Sequence, residues 1–101
     1  MQSLTLQVLW LDDSLGLAVN QKVANDNLVP LTPYYFWPIS EAWEQIRFEL
    51  DSKPWIPEAE RVILLNAVVE VMTQWQKARG TISRNEAKSN LQGNITVVGL
   101  P

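Results

Sequence analysis

Few side chains in this sequence could carry chemistry, because it contains neither cysteine nor histidine. Thiolate nucleophiles, cysteine zinc sites and the commonest general base are therefore excluded. Asp12 and Asp13 are the only adjacent carboxylates, and such a pair could hold a cation or share a proton. A polar hairpin turn explains them without chemistry, and we favour that interpretation. Without a phosphate loop or a metal-ligand cluster in the sequence, we expect no enzyme and no cofactor.

Four consecutive aromatic residues at positions 34–37 form a second candidate site. They could be a stacking platform for bases, or a hydrophobic plug over a sheet. Bases stack on exposed rings set among cations, and no Lys or Arg lies between residues 25 and 45. We therefore expect a mostly structural block with Phe36 and Trp37 buried, and we expect Trp55 to plug the end of the core. The candidate partner or core aromatics are Tyr34, Tyr35, Phe36, Trp37 and Trp55.

Charge is distributed unevenly along the 101 residues, whose eight basic and eleven acidic side chains give a net charge of −3. Residues 1–76 hold four basic against ten acidic residues, whereas residues 77–101 hold four basic against one acidic residue. The basic segment could contact phosphates, or it could simply be a solvated helix end and loop. The candidate phosphate-contacting residues are Lys77, Arg79, Arg84 and Lys88.

An antiparallel hairpin is predicted at the start of the chain. Leu4, Leu6, Val8 and Trp10 alternate with other residues, which is the period-two pattern of a strand with one buried face. A second alternating run follows a short polar turn, so we predict strands over about 3–11 and 15–23. A β-branched run also permits a third strand at 94–99 beside the hairpin.

A long helix is predicted over about 57–79 and is expected to organise the domain. Val62, Leu65, Val68, Met72 and Trp75 have the spacing of one helical face, and further apolar residues lie on its flanks. A stripe this wide predicts a helix at the centre of the domain, covered on several sides.

A shorter helix is predicted over about 41–52, with Ser40 as its N-cap and with Ile39, Trp43, Ile46 and Leu50 on its buried face. Beyond a predicted C-terminal cap at residue 80, a capping-box pattern permits a short helix at 84–92. The predicted class is α+β, a small antiparallel sheet packed with two main helices. We expect a single domain over residues 1–101, with 80–101 as its basic C-terminal segment, and no membrane-spanning helix.

Several motifs resemble the plastid-specific ribosomal protein three family, which occurs in the small ribosomal subunit of chloroplasts and in cyanobacteria. They are LWLD at 9–12, LGLAV at 15–19, PLTPYYFWP at 30–38, AWE at 42–44, SKPWI at 52–56 and LLN at 64–66. The resemblance runs from about Leu4 to Trp75, and beyond it only Glu86, Ala87 and Gly99 align. Pro57 departs from the serine-like helix cap expected in the family.

The resemblance implies a non-catalytic structural constituent of the small ribosomal subunit that also tunes translation. Its implied partners are ribosomal proteins and ribosomal RNA, with no membrane and no small-molecule substrate, in the cyanobacterial cytoplasm or the plastid stroma. Because the body of the chain is acidic, we expect much of the contact to be with neighbouring proteins, and the four cations named above are the candidate RNA contacts. The alternative is a free-standing protein- or ligand-binding domain that uses the aromatic block at 34–37.

Overall fold

The computed structural model describes residues 4–78 and 95–97, which form one sheet and two helices. The strands are β1 (Leu4–Trp10), β2 (Leu15–Lys22), β3 (Leu28–Pro30), β4 (Tyr35–Trp37) and β5 (Ile95–Val97). The helices are α1 (Ala42–Asp51) and α2 (Glu58–Ala78), and a short 3-10 turn spans Ala24–Asp26. The predicted α+β class, the N-terminal hairpin and both main helices are therefore confirmed. The predicted cap at residue 80 and short helix at 84–92 lie outside the described residues.

The sheet has the strand order β3-β2-β1-β5, and β4 also pairs with β2. β1 and β2 are antiparallel, with register from Leu4 opposite Gln21 to Trp10 opposite Leu15. The possible third strand predicted at 94–99 is found as β5 (Ile95–Val97); it pairs parallel to β1, whereas the other strand pairs of the sheet are antiparallel. Parallel neighbours need a crossover connection, and both helices lie between β1 and β5 along the chain.

Two short strands, β3 and β4, were not predicted. Both lie in the proline-rich stretch and pair with β2 in antiparallel register. Three-residue strands flanked by prolines give almost no alternating pattern, and proline is tolerated in a sheet at edges and strand ends. Thr32 holds the stretch against β2, because its Oγ1 accepts a hydrogen bond from the Val19 N–H at 3.0 Å.

The core lies between the helices and one face of the sheet. Alternate residues of β1 and β2 point to that face, because side chains alternate along a strand. The strand residues of the core are Leu4, Leu6, Val8, Trp10, Leu15, Leu17 and Val19. The buried helix residues are Ala42, Ile46 and Leu50 from α1, and Leu64, Val68, Val71 and Trp75 from α2. Thr5, Gln7 and Leu9 alternate with the buried residues of β1 and are only partly buried, so they belong to the opposite face of the sheet.

The buried face of α2 is rotated relative to the predicted one. Val68 and Trp75 are buried as predicted, but Val62 is exposed, and Leu65 and Met72 are only partly buried. The predicted central position of α2 is also wrong, because the helix lies on the sheet with one face buried and leaves Val62, Ile63 and Val69 about half exposed. A helix that is apolar over most of its circumference carries too little pattern to fix its own rotation.

The start of α1 also differs from the prediction. Glu41 occupies the N-cap position and makes no side-chain cap hydrogen bond. Ser40 instead closes the turn after β4, since its N–H and its hydroxyl both donate to the Phe36 carbonyl oxygen, at 2.7 and 2.8 Å. Ile39 is largely exposed and Trp43 is only partly buried, while Ala42 takes the buried position. The turn after β4, and not the helical periodicity, therefore determines the exposure of the residues that precede α1.

Candidate functional site

The aromatic block at 34–37 divides its side chains between the two faces of the sheet. Its register places Tyr35 opposite Leu17 and Trp37 opposite Leu15, so both rings lie on the helix side of the sheet. Tyr34 and Phe36 lie on the opposite side, because side chains alternate along a strand. All four residues are only partly buried, so the prediction that Phe36 and Trp37 are buried is wrong, although Tyr35 and Trp37 do pack against the core.

Tyr35 joins β4 to α1 through a polar cluster. Its hydroxyl donates to Glu49 Oε2 at 2.9 Å, and the Lys53 ammonium donates to Glu49 Oε1 at 3.1 Å. Hydrogen bonds from Tyr35 and Lys53 lower the pKa of Glu49. Burial, followed by the hydrogen bond to the Glu49 carboxylate, raises the pKa of Tyr35. The cluster keeps a carboxylate ionised with a hydrogen bond on each oxygen, which suits a structural clamp better than proton transfer.

Trp37 joins β4 to α2. Its ring packs edge-on against Trp75, with 5.8 Å between the ring centroids. The Trp75 indole N–H donates to the Leu11 carbonyl oxygen at 2.8 Å, which ties α2 to the end of β1. A shallow groove at this end of the fold is lined by Asp12, Asp13, Trp37, Pro38, Trp75 and Gln76. Asp12 and Asp13 are exposed in the turn between β1 and β2, as their interpretation as turn residues predicts.

Tyr34 and Phe36 pack over a glycine on the other face of the sheet. A Cβ on Gly16 would lie 2.9 Å from Phe36 Cε1 and 3.2 Å from Tyr34 Cδ1, so only glycine leaves room for the two rings. The Tyr34 hydroxyl accepts a hydrogen bond from Gln7 Nε2 at 2.8 Å, and Gln7 Oε1 accepts one from Asn20 Nδ2 at 2.6 Å. The block is therefore engaged in intramolecular contacts on both faces.

Trp55 does not plug the core as predicted. It is 59% exposed, and its indole N–H donates to Gln21 Oε1 at 3.2 Å. The neighbouring Ile56 is buried instead, at the corner between α1 and α2. Two adjacent apolar residues between prolines could not be told apart from their sequence alone.

Most cations among the described residues are held by carboxylates. Arg47 lies 3.6 Å from Glu44 and 3.7 Å from Asp51, and Arg61 lies 3.6 Å from the other oxygen of Asp51. Lys53 pairs with Glu49, as described above. Each of these pairs neutralises a cation that could otherwise face a phosphate.

Lys77 is the one residue of the predicted phosphate-contacting set that the structure describes. It is exposed in the last turn of α2, a position that the negative end of the helix dipole favours. Arg79, Arg84 and Lys88 lie outside the described residues, so whether the four cations come together stays a prediction.

Phe48 is a surface residue that the sequence analysis missed. It is 74% exposed on α1 and lines a shallow depression together with Glu44, Arg47 and Asp51. Its position two residues from both Ile46 and Leu50 is a signal that could have found it, because that spacing places Phe48 on the side opposite the buried face.

The described part of the chain contains neither a metal-ligand cluster nor a helix that could span a membrane. No group of three or more acidic side chains there is arranged to hold a metal ion. Likewise, no helix within residues 4–78 is both long and apolar enough to cross a membrane.

Comparison with known proteins relates this chain to ribosomal proteins. The family described as "Plastid and cyanobacterial ribosomal protein (PSRP-3 / Ycf65)" matches residues 31–78. The "Small ribosomal subunit protein cS23" of Gracilaria tenuistipitata var. liui is 41% identical over 88 residues, which cover 87% of this chain and 88% of that protein.

Two further relatives have similar names. The "Probable small ribosomal subunit protein cS23" of Synechococcus sp. (strain JA-2-3B'a(2-13)) is 44% identical over 88% of this chain and 89% of its own length. The "Small ribosomal subunit protein cS23" of Hordeum vulgare is 39% identical over 79% of this chain, but the match covers only 44% of that longer protein.

Proposed function

Because this chain belongs to the plastid and cyanobacterial ribosomal protein family PSRP-3/Ycf65, we propose that it is a structural, non-catalytic constituent of the small ribosomal subunit. The observation that carries the proposal is near full-length similarity to proteins named for that subunit, at 41% and 44% identity. The protein accordingly works in association with ribosomes, in a cyanobacterial cytoplasm or in a plastid, where its compartment is the stroma. A role in tuning translation stays a prediction.

The packing of the aromatic block argues against the alternative of a free-standing binding domain. Tyr35 bonds to Glu49, Trp37 packs on Trp75, and Tyr34 and Phe36 pack over the glycine in β2. A ligand groove needs concave apolar surface that the protein itself leaves free. Tyr35 and Trp37 instead hold the helices to the sheet, and Tyr34 and Phe36 cover its other face.

Such a protein can attach to the subunit through ribosomal RNA and through other ribosomal proteins. The charge distribution suggests which part of the chain makes each contact. Ribosomal RNA presents a phosphate backbone that acidic surfaces repel and cations attract. Lys77, Arg79, Arg84 and Lys88 are the proposed RNA contacts, and the exposure of Lys77 in the last turn of α2 supports the accessibility of that residue. The acidic body would then face other ribosomal proteins.

The experiment is cosedimentation of the purified chain with small subunits that lack it, at two salt concentrations. Replacing Lys77, Arg79, Arg84 and Lys88 by Gln should weaken association steeply at low salt, and each substitution that removes a bond to phosphate should lower the salt slope by about one. Lys77→Gln alone can be compared with Lys22→Gln, since each removes one ammonium from an exposed residue. Equal binding by the wild type and the quadruple variant would remove the RNA contacts from the proposal and leave protein contacts as the means of attachment.

A further inference from the structure

The outward surface of α1 combines an exposed phenylalanine with carboxylates. Positions 41, 44, 48 and 51 follow the helical repeat along the side opposite Ile46, and all four are exposed. We call Glu41, Glu44, Phe48 and Asp51 the acidic face of α1. Phe48 is the single apolar residue among the exposed positions of this helix. Its side chain contributes little to the fold, because the residue is 74% exposed.

The charge on this face excludes phosphate as its partner. Three carboxylates stand beside two guanidinium groups. Arg47 is held between Glu44 and Asp51 and lies 5.8 Å from the centre of the Trp43 ring, and Arg61 of α2 lies 3.6 Å from the other oxygen of Asp51. Arg47 therefore has little freedom to reach a phosphate, and the surrounding carboxylates repel one. A second copy of this chain is disfavoured for the same reason, since a two-fold dimer through this face would place like charges opposite each other.

The same carboxylates are suited to accept hydrogen bonds from cations. The side chains of Glu44 and Asp51 are 62% and 52% exposed. Glu44 has one contact with Arg47, of 3.6 Å, and Asp51 has one contact with Arg47, of 3.7 Å, and one with Arg61, of 3.6 Å. A carboxylate has room for about four hydrogen bonds, so both retain accepting capacity. An arginine or lysine from another chain would find acceptors on either side of the Phe48 ring, which offers apolar surface between them.

We propose that the acidic face of α1 binds a Lys/Arg-rich segment of a neighbouring ribosomal protein, an inference that rests on the proposed function. The cations of that segment contact Glu41, Glu44 and Asp51, and an apolar side chain or an arginine stem of the segment covers Phe48. Charge complementarity gives the pairing its orientation, and burial of the ring supplies the central contact.

The first test places a photoreactive residue at the centre of the face. Phe48→p-benzoyl-phenylalanine keeps the aromatic ring and can be crosslinked after the full chain has been assembled into purified small subunits. The expected product is a crosslink to a ribosomal protein peptide rich in Lys and Arg. A crosslink to ribosomal RNA, to a second copy of this chain or to an acidic or neutral peptide would overturn the proposal, as would the absence of any crosslink.

The second test compares matched surface substitutions by cosedimentation. Phe48→Ser should weaken association by roughly tenfold or more, as removal of a central interface residue does. Glu44→Lys, which reverses one charge on the same face, should weaken it as well. Val69→Ser is the control, because Val69 is a 48% exposed apolar residue on the other helix, and it should bind as the wild type does.

The outcomes separate this inference from the proposed function. All three variants should keep the wild-type melting temperature, since the residues changed are exposed. If the wild type cosediments and the Phe48 and Glu44 variants bind equally well, the docking proposal is wrong and the ribosomal role stands. If the wild type itself fails to cosediment, the proposed function fails.

Discussion

Leu64 and Leu65 in α2 offer a sharp test of which face of the helix is buried. Leu64 is 2% exposed in the core, whereas Leu65 is only partly buried at its margin. Both substitutions to Ala remove the same atoms and change helix propensity equally, so their difference reports burial alone. Leu64→Ala should cost about 3 kcal/mol through reduced burial and the cavity left behind. Leu65→Ala should cost about 1 kcal/mol, because part of that side chain already contacts water.

The measurement is urea or thermal unfolding of the two variants, monitored by circular dichroism. For a domain of this size, each kcal/mol lowers the melting temperature by roughly 4 to 8 °C, so the two variants should differ by about 8 to 16 °C. Equal losses of stability, or a larger loss for Leu65→Ala, would refute the observed rotation of α2. Such a result would instead support the buried face predicted from the sequence, which includes Leu65.

Two further predictions concern the aromatic block. Tyr35→Phe should destabilise the fold by about 1 kcal/mol by removing the hydrogen bond to Glu49, and it should move the pKa of Glu49 up toward its ordinary value in an NMR titration. Because the pKa of Glu49 is lowered in the folded state, the ionised carboxylate stabilises the fold. Its full contribution to the free energy of unfolding is present above the ordinary carboxyl pKa of about 4.3 and is lost as the pH falls through the folded-state pKa. The stability gap between wild type and variant should therefore shrink on acidification, and a gap that is constant with pH would contradict the assignment. Gly16→Ala should cost about 1 to 3 kcal/mol, because its Cβ would lie 2.9 Å from Phe36 Cε1, and an unchanged melting temperature would show that the rings move aside.

Local periodicity was enough to predict the hairpin and both main helices. The alternation in β1 and the helical spacing around Ile46 and Val68 each repeat over several residues, and packing in the structure preserves them. The rotation of α2 could not be obtained in this way, because its apolar residues surround most of the helix. Its orientation depends on long-range contacts, among them the hydrogen bond from Trp75 to the carbonyl oxygen of Leu11.

The candidate site was predicted in part. The sequence identified the aromatic block as mostly structural, and the contacts of Tyr35 and Trp37 with the helices agree with that interpretation. The four rings alternate between the two faces of the sheet because residues 35–37 form strand β4. That strand exists through its pairing with β2, which the local sequence does not reveal. Trp55 was misplaced because a corner between two prolines has no periodicity that could tell the exposed residue from the buried one.

The central claim is that this chain is a constituent of the small ribosomal subunit, and sedimentation of ribosomes from its own cells tests it most directly. Ribosomes are dissociated into subunits at low magnesium, separated on a sucrose gradient and analysed for this chain by quantitative mass spectrometry. We predict about one copy for each small subunit and none above background in the large-subunit fraction. Recovery of the chain at the top of the gradient, or equally in both subunits, would contradict the account.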